Sequence, residues 1–431
     1  MTSVSYRELD DYAGTIERNL RDHDIGCGQR VAVYLSRSLH LPIVILGILR
    51  TGATYVPIDR DQPKLRAEEI INDAGVACLI TDADASLASD VLTLTTDALL
   101  DSSRQHLPTT PTGGLSGNFD IDPASPAYLL YTSGSTGKPK GVIVSHGSLM
   151  SYLNWASKYY ATSSPIVMPL FTSIGFDLTV TSLFLPWLSG GTLRVFPQTA
   201  ENQALLLLDV IREKSINTIK LTPAHLKILI NSEAENPEIR QLIVGGEDLK
   251  SETARQTADL FNQNVRIINE YGPTEASVGC IVREWSGDKE QGSVPIGLPI
   301  DGMSAYVLNE SQKPQFEGMA GELFLSGPSL ANGYWNDPEA TANAFIANPW
   351  NTGTLMYRTG DQVRVEHNEL VYLGRNDGQL KINGHRIELG EIEAALLSHP
   401  DINECVVMAS AGKDLTEHQQ QETFCIECGL S

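Results

Sequence analysis

Short apolar runs alternate with helical patterns through the middle of this 431-residue chain. INTIKLTP (216–223), IRQLIVGGE (239–247) and RIINEYG (266–272) each have the composition of a buried strand that ends in a turn, and a helical pattern follows the first of them. Their apolar residues do not alternate with polar ones, which is typical of strands covered on both faces. Strand, turn and helix repeated in this order predict an α/β fold with largely parallel sheets.

The chain is longer than a single core requires, since cores stop growing near about 250–300 residues. From about residue 320 the pattern changes, and GELFLSG and ELVYLGR predict short strands of an antiparallel region. We therefore predict an α/β fold with a large N-terminal domain over residues 1–376. In that domain mixed, largely parallel sheets are flanked by helices and followed by a small β-rich subdomain.

A second unit is expected over residues 377–431. Its sequence predicts a hairpin with glycine turns, then a helix over ELGEIEAALLSH and a strand over ECVVMAS. One helix and so few strands hardly make a domain, so we expect a partial small α+β domain.

Charge and composition argue against several classes of partner. The formal charge of −22 comes from 53 acidic and 31 basic residues, and it would repel a nucleic acid. MTSVSYRELD at the start of the sequence has no basic region followed by an apolar run, so no secretory signal is expected. The apolar stretch LPIVILGIL (41–49) is too short to span a bilayer and predicts a buried helix. Six cysteines do not make a disulfide framework, so a cytoplasmic location is expected. The charge and the short apolar stretch together predict that neither a nucleic acid nor a membrane is a partner.

YTSGSTGKPKG (131–141) is a glycine- and hydroxyl-rich segment between two strand-like runs, PAYLLYT and GVIVS. Glycines let backbone N–H groups approach an anion, hydroxyls donate further hydrogen bonds, and Lys138 and Lys140 add positive charge. The segment is not a Walker A loop, because Thr132 and Pro139 stand where that motif needs glycine and a hydroxyl residue. Composition alone leaves a flexible linker open.

The order of several motifs resembles the adenylate-forming superfamily, which contains acyl- and aryl-CoA synthetases, luciferases and the adenylation domains of nonribosomal peptide synthetases. The likeness covers nearly the whole chain and is greatest to the adenylation domains. The motifs are VSYRELDDYA (4–13), LRTGATYVPIDRDQP (49–63), TSGSTGKPKG (132–141), FD (176–177), NEYGPTE (269–275), GELFLSGPSLANGYWN (321–336), YRTGD (357–361) and GRNDGQLKINGHRIELGEIE (374–393).

This resemblance implies an ATP-dependent, AMP-forming ligase with ATP and Mg²⁺ as cofactors. The substrate carboxylate attacks the α-phosphate, pyrophosphate leaves, and the acyl group then passes to the phosphopantetheine thiol of a carrier protein. The loop would cradle the departing phosphates through Thr132, Ser133, Gly134, Ser135, Thr136, Gly137 and Lys138. Thr274 would contact phosphate oxygens and Glu275 would hold Mg²⁺, so that Thr132, Lys138, Thr274 and Glu275 are the catalytic candidates.

The same resemblance implies a nucleotide site. Tyr271 would stack on adenine, Asn269 would hydrogen-bond its edge, and Asp361 would hold the ribose hydroxyls. The other nucleotide-site candidates are Gly246, Glu247, Tyr372 and Arg375.

Asp177, in the FD motif, matches the aspartate that binds the substrate's α-ammonium, so it favours an α-amino acid over a fatty or aryl acid. The resemblance places nine residues around the side-chain pocket: Asp177, Leu178, Thr181, Lys220, Ile243, Gly245, Glu270, Val278 and Gly279. Lys220 and Glu270 are its charged members. A carboxamide suits both, since its oxygen accepts from the lysine and its NH₂ donates to the glutamate.

The pocket residues closely resemble the family's asparagine-selecting pattern, and Gly245 and Gly279 are expected to leave room for that side chain. Aspartate would be repelled by Glu270, and glutamine is longer by one methylene. A structural ion pair between Lys220 and Glu270, unrelated to substrate, stays an alternative.

No match to the family's late lysine follows residue 393, so we expect about half of the C-terminal domain to be absent. Two explanations are expected: a piece of a longer synthetase, or a C-terminal domain that another domain interrupts or replaces. Asp377 resembles the hinge between the domains, and Cys425 and Cys428 form a CxxC that is a weak sign of a metal site. Besides an asparagine-activating enzyme, a catalytically weak module that binds amino acid and ATP stays open, as does an acyl- or aryl-CoA ligase that has no need of Asp177.

Overall fold

The computed structural model describes residues 3–82, 87, 90–100, 121–134, 139–197, 203–234, 236–287, 292–376, 380–382, 385–397, 399, 402–411 and 422–430. The helices of this part of the chain are α1 (Tyr6–Asp22), α2 (His40–Thr51), α3 (Lys64–Ala74), α4 (Thr96–Leu100), α5 (His146–Tyr159), α6 (Leu178–Leu188), α7 (Gln203–Arg212), α8 (Pro223–Ser232), α9 (Ser251–Leu260), α10 (Pro338–Ala344) and α11 (Leu389–Leu397).

The strands are β1 (Arg30–Tyr34), β2 (Thr54–Pro57), β3 (Cys78–Thr81), β4 (Leu92–Thr95), β5 (Pro126–Thr132), β6 (Lys140–Ser145), β7 (Val167–Leu170), β8 (Thr192–Val195), β9 (Thr218–Leu221), β10 (Gln241–Gly245), β11 (Arg266–Tyr271), β12 (Ile281–Glu284), β13 (Leu298–Pro299), β14 (Ser304–Leu308), β15 (Gly321–Ser326), β16 (Gly333–Tyr334), β17 (Phe345–Ala347), β18 (Leu355–Glu366), β19 (Glu369–Arg375), β20 (Leu380–Ile382), β21 (His385–Ile387), β22 (Ile402–Ala411) and β23 (Glu422–Leu430).

Two mixed sheets carry most of the chain. The larger has the order β16-β6-β5-β2-β1-β3-β4, and its strands from β5 to β4 are parallel. The second has the order β13-β12-β11-β10-β9, in which β9, β10 and β11 are parallel and the other two antiparallel. A third, antiparallel sheet of β14, β15, β18, β17 and β19 follows. The predicted α/β class, with largely parallel sheets and a β-rich region after residue 320, is confirmed.

The apolar runs that lack alternation are strands buried on both faces, as expected. On one face of β10, Ile243 joins the largest core cluster, while Leu242 and Val244 on the other face join a separate cluster formed with α7, α8 and α9. The stretch predicted as a buried helix is α2, in which eight of the twelve residues are buried and the others are half-buried. Gly47 lets α2 approach α1 closely, because a Cβ there would lie 2.5 Å from Ile16.

After the third sheet come the β20–β21 hairpin, α11 and the β22–β23 pair, so the α+β pattern of the last unit agrees with the expectation. Strand β23, which the sequence did not reveal, carries Cys425 and Cys428 opposite Met408 and Cys405 in the ladder. Asp377 lies outside the described residues, and the domain boundary at 376 stays a prediction. Within the described ranges, no helix is long and apolar enough to cross a membrane.

Candidate active site

The register of the second sheet brings distant pocket residues onto one face. Lys220 of β9 lies beside Ile243 of β10, and Gly245, two residues further along β10, lies beside Glu270 of β11. Residues two apart in a strand point to the same face, so Lys220, Ile243, Gly245 and Glu270 share it. Because Gly245 has no side chain, Glu270 can reach across β10 toward Lys220.

The two charged residues form a salt bridge, and both side chains are only 2% exposed. Lys220 Nζ also donates to Thr181 Oγ1 at 2.8 Å and approaches Tyr152 Oη at 3.3 Å. Glu270 Oε1 accepts from Tyr152 at 2.9 Å and from Tyr160 at 2.6 Å. The pair is therefore held by additional hydrogen bonds, which a buried ion pair needs if its desolvation cost is to be offset.

Sequence reasoning missed Tyr152 and Tyr160, both fully buried. They belong to YLNWASKYY at the end of α5, where aromatic residues recur at positions i, i+3, i+7 and i+8. This spacing predicts a buried helix face but not which residue the hydroxyls will meet.

The space beside Gly245 and Gly279, which was expected to hold the substrate side chain, is taken by Glu270. A Cβ at Gly279 would lie 2.5 Å from Glu270 Oε1, so the space there is filled by the glutamate side chain in this structure. A Cβ at Gly245 would lie 2.8 Å from the Glu270 carbonyl oxygen. Both glycines therefore make room for Glu270 itself. Val278, beside Gly279, has a φ of +79°, which is strained for a β-branched residue.

Asp177 lies directly before α6 and Leu178 begins that helix, and both are buried. Thr274 Oγ1 donates to Asp177 Oδ2 at 2.7 Å. The residue expected to bind an α-ammonium is thus one hydrogen bond from the residue expected to contact phosphate.

Glu275 sits in a 3-10 turn, Thr274–Ala276, and is fully buried. Its Oε1 accepts from Tyr334 Oη at 2.8 Å, and the Lys140 ammonium lies 3.4 Å from the centre of the Tyr334 ring. Tyr334, which sequence reasoning did not single out, therefore connects Glu275 with the base of the predicted phosphate loop. A buried carboxylate oxygen at this position fits the ligand chemistry of Mg²⁺.

The described part of that loop closes where Thr132 Oγ1 donates to the Lys140 carbonyl oxygen at 3.4 Å. Ser133 and Gly134 continue from β5, and Gly134 is buried. The remaining loop candidates lie outside the described residues: Ser135, Thr136, Gly137 and Lys138.

Asp361, the candidate ribose ligand on β18, is 1% exposed. Its Oδ1 accepts from Arg375 Nη1 at 2.7 Å, and its Oδ2 accepts from Tyr271 Oη. Burial, and then the nearby Asp361 charge, raise the pKa of Tyr271 well above its ordinary value, so its hydroxyl stays protonated and donates. The Tyr372 ring centre is 6.5 Å from that of Tyr271. Four predicted nucleotide-site residues thus converge.

Two further nucleotide-site candidates have protein partners. Asn269 donates its amide to the carbonyl oxygens of Val294 and Pro295 at 3.2 and 3.0 Å. Glu247 accepts from the backbone N–H of Ala224, in the first turn of α8, at 3.2 Å. Gly246 precedes it with a φ of +88°, a conformation that favours glycine and makes the turn after β10.

Comparisons with known proteins identify the family to which the chain belongs. A family model described as AMP-binding enzyme matches residues 1–335. Bacitracin synthase 3 of Bacillus licheniformis is 40% identical over 429 residues, which are 98% of this chain and 6% of that protein. This chain therefore spans less than a tenth of the length of that curated relative.

Two solved structures are similar as well. A crystal structure of a four-domain nonribosomal peptide synthetase bound to AMP and glycine has a TM-score of 0.75 and 32% identity, covering 99% of this chain and 31% of that one. A nonribosomal peptide synthetase protein with adenylation and carrier (PCP) domains, bound to a vinylsulfonamide inhibitor, has a TM-score of 0.81 and 26% identity, covering 95% and 70%. The chain belongs to the AMP-binding enzyme family and is an adenylation domain of the nonribosomal peptide synthetase type.

Proposed function

We propose that this chain joins the carboxylate of an α-amino acid to the α-phosphate of ATP. A carboxylate oxygen forms a bond to the α-phosphorus, the bond to the β-phosphate oxygen breaks, and pyrophosphate leaves. The single observation that supports this proposal is the hydrogen bond from Thr274 to Asp177. It joins the residue to which we assign the phosphate contact to the residue to which we assign the ammonium. The relative that holds AMP and glycine supports the same pair of ligands.

The remaining roles follow from the burial and charge of the site. Glu275 would hold Mg²⁺, and the ion, when bound, would neutralise negative charge on the phosphates. Asp361 would accept from the ribose hydroxyls, because each carboxylate oxygen keeps a second lone pair beside its protein donor. Thr132 and the loop after it would donate to the departing pyrophosphate.

The aminoacyl group would then pass to the phosphopantetheine thiol of a carrier protein, releasing AMP. A similar structure contains both adenylation and PCP domains, which supports this class of partner. We place the reaction in the cytoplasm, because it consumes ATP and because six cysteines in 431 residues do not make a disulfide framework.

Asparagine is the substrate we propose. Its carboxamide oxygen would accept from Lys220 and its NH₂ would donate to Glu270, on the face where these side chains meet. Aspartate presents a second carboxylate to Glu270, whose side chain is buried, and like charges repel more strongly in a buried site than in water. Glutamine would be disfavoured less, by about 1–3 kcal/mol for one methylene.

Amino-acid-dependent ATP–pyrophosphate exchange tests this proposal. We expect a maximum at asparagine across the twenty amino acids and no stimulation by aryl or fatty acids. The Asp177→Asn variant should lose at least about a hundredfold in kcat/KM, since it loses the charge that binds the ammonium. Asp209→Asn, on the exposed face of α7, is the matched control and should be unchanged.

Each other result has a definite meaning. Exchange that Asp177→Asn leaves intact would refute an amino-acid substrate. A maximum at another amino acid would refute asparagine and the roles of Lys220 and Glu270. If asparagine and ATP bind in calorimetry but no exchange occurs, the chain is a binding module and the proposed reaction is wrong.

A further inference from the structure

The pocket contains a closed ring of hydrogen bonds whose direction is fixed by chemistry. An ammonium only donates, a carboxylate only accepts, and each hydroxyl has one proton. Lys220 therefore donates to Thr181 at 2.8 Å, and Thr181 donates to Tyr152 at 2.6 Å. Tyr152 then donates to Glu270 Oε1 at 2.9 Å, and the salt bridge between Lys220 and Glu270 Oε2 closes the ring. Tyr160 donates to Oε1 from outside the ring.

The ring leaves one hydrogen-bond donor and one acceptor for a ligand. Both lone pairs of Glu270 Oε1 are used by the two tyrosines, whereas Oε2 has one taken by Lys220 and one left. The third N–H of Lys220 has only the 3.3 Å contact to Tyr152, the longest in the network. The network thus offers one donor and one acceptor side by side, and a carboxamide is the complement of that pair.

The two tyrosines stay protonated in this position. Burial, and then the Glu270 charge, raise the pKa of Tyr160 and of Tyr152 well above the ordinary tyrosine value. Their two hydrogen bonds fix the orientation of the Glu270 carboxylate, because Oε1 cannot turn toward the ligand without breaking both of them.

We infer that Tyr152 and Tyr160 are specificity-determining positioning residues, which hold the Glu270 carboxylate with Oε2 toward the substrate so that a carboxamide is accepted and a carboxylate rejected. This inference rests on the proposed asparagine-activating function. Neither tyrosine needs to touch the substrate, since each acts through Glu270.

The test is the ratio of kcat/KM for asparagine to that for aspartate in pyrophosphate exchange. Tyr160→Phe and Tyr152→Phe each remove one hydroxyl and keep the ring volume. Each should lower the ratio by about tenfold, the value of one hydrogen bond to a charged group, chiefly by improving aspartate. Tyr159→Phe is the matched control, because Tyr159 is next to Tyr160 and no contact joins it to Glu270 in the described structure. It should keep the wild-type ratio.

The outcomes separate this inference from the proposed function. A wild-type chain without an asparagine preference refutes the proposed function and the inference together. A wild-type preference that both phenylalanine variants retain refutes the inference alone and leaves the tyrosines as space-filling residues. If Tyr160→Phe fails to fold, judged by its circular dichroism spectrum, Tyr152→Phe decides the question, because it removes a different donor from the same oxygen.

Discussion

Replacing Gly279 with alanine should collapse the charged network of the pocket with a single methyl group. The added Cβ would lie 2.5 Å from Glu270 Oε1, well inside contact distance. The chain after Gly279 enters β12, which is paired with β11, so the backbone cannot retreat without breaking the ladder. The Glu270 side chain must move instead.

The cost has two parts. Overpacking a close-packed site costs about 1–3 kcal/mol. Moving Glu270 also weakens its bonds to Lys220, Tyr152 and Tyr160, and fully breaking a buried ion pair costs about 3–5 kcal/mol. Because displacement breaks the pair only in part, we expect the free energy of unfolding to fall by about 2–4 kcal/mol. Asparagine-dependent exchange should fall by at least about a hundredfold.

Urea unfolding followed by circular dichroism measures the first effect, and pyrophosphate exchange measures the second. The matched control is Gly26→Ala, whose Cβ would find its nearest neighbour, the Thr51 carbonyl oxygen, at 3.7 Å. That variant should change stability by no more than about 0.5 kcal/mol. If Gly279→Ala unfolds at the same urea concentration as Gly26→Ala and keeps its exchange activity, the account of the Glu270 network is wrong.

Three further predictions follow from buried groups. Glu270→Gln leaves the Lys220 charge uncompensated, so exchange should shift in preference from asparagine toward aspartate by at least about tenfold; an unchanged order of the two amino acids would contradict the pocket. The Tyr128 hydroxyl is buried without a hydrogen-bond partner in the described structure, so Tyr128→Phe should leave the free energy of unfolding in urea equal or raise it by up to about 1 kcal/mol, and a clear loss would disprove this. Burial raises the pKa of Tyr128, Tyr152 and Tyr271 well above about 10, so these hydroxyls stay protonated in the fold while those of the unfolded chain ionise. The free energy of unfolding should therefore fall as pH rises above about 10, and a urea midpoint constant from pH 9 to 11 would be evidence against this.

The sequence predicted the buried strands of the fold, because the composition of these strands depends directly on their burial. Continuous apolar runs identified β9, β10 and β11 because both faces of these strands are covered. Strand β23 was not predicted, because its sequence, ETFCIECGL, mixes charged residues and glycine with apolar ones and has no long apolar run. Its pairing with β22 is a tertiary event that local pattern does not encode.

The site was predictable as a set of residues but not as a set of contacts. The order of the motifs assigned Lys220 and Glu270 to one predicted pocket. Tyr160 also contacts Glu270, but the two residues are 110 positions apart in the sequence, and no local pattern indicates that contact. The same holds for Asp361, whose two oxygens already accept from Arg375 and Tyr271. Which donor reaches a buried carboxylate depends on how the elements pack, and packing is a property of the whole chain.

Direct binding tests the central claim without requiring turnover. Two non-hydrolysable adenylate analogues, one of asparagine and one of aspartate, differ only in a carboxamide against a carboxylate. The structure-based account predicts that this chain binds the asparagine analogue at least about tenfold more tightly in isothermal titration calorimetry, because only the carboxamide can both accept from Lys220 and donate to Glu270. Equal dissociation constants, or tighter binding of the aspartate analogue, would contradict it.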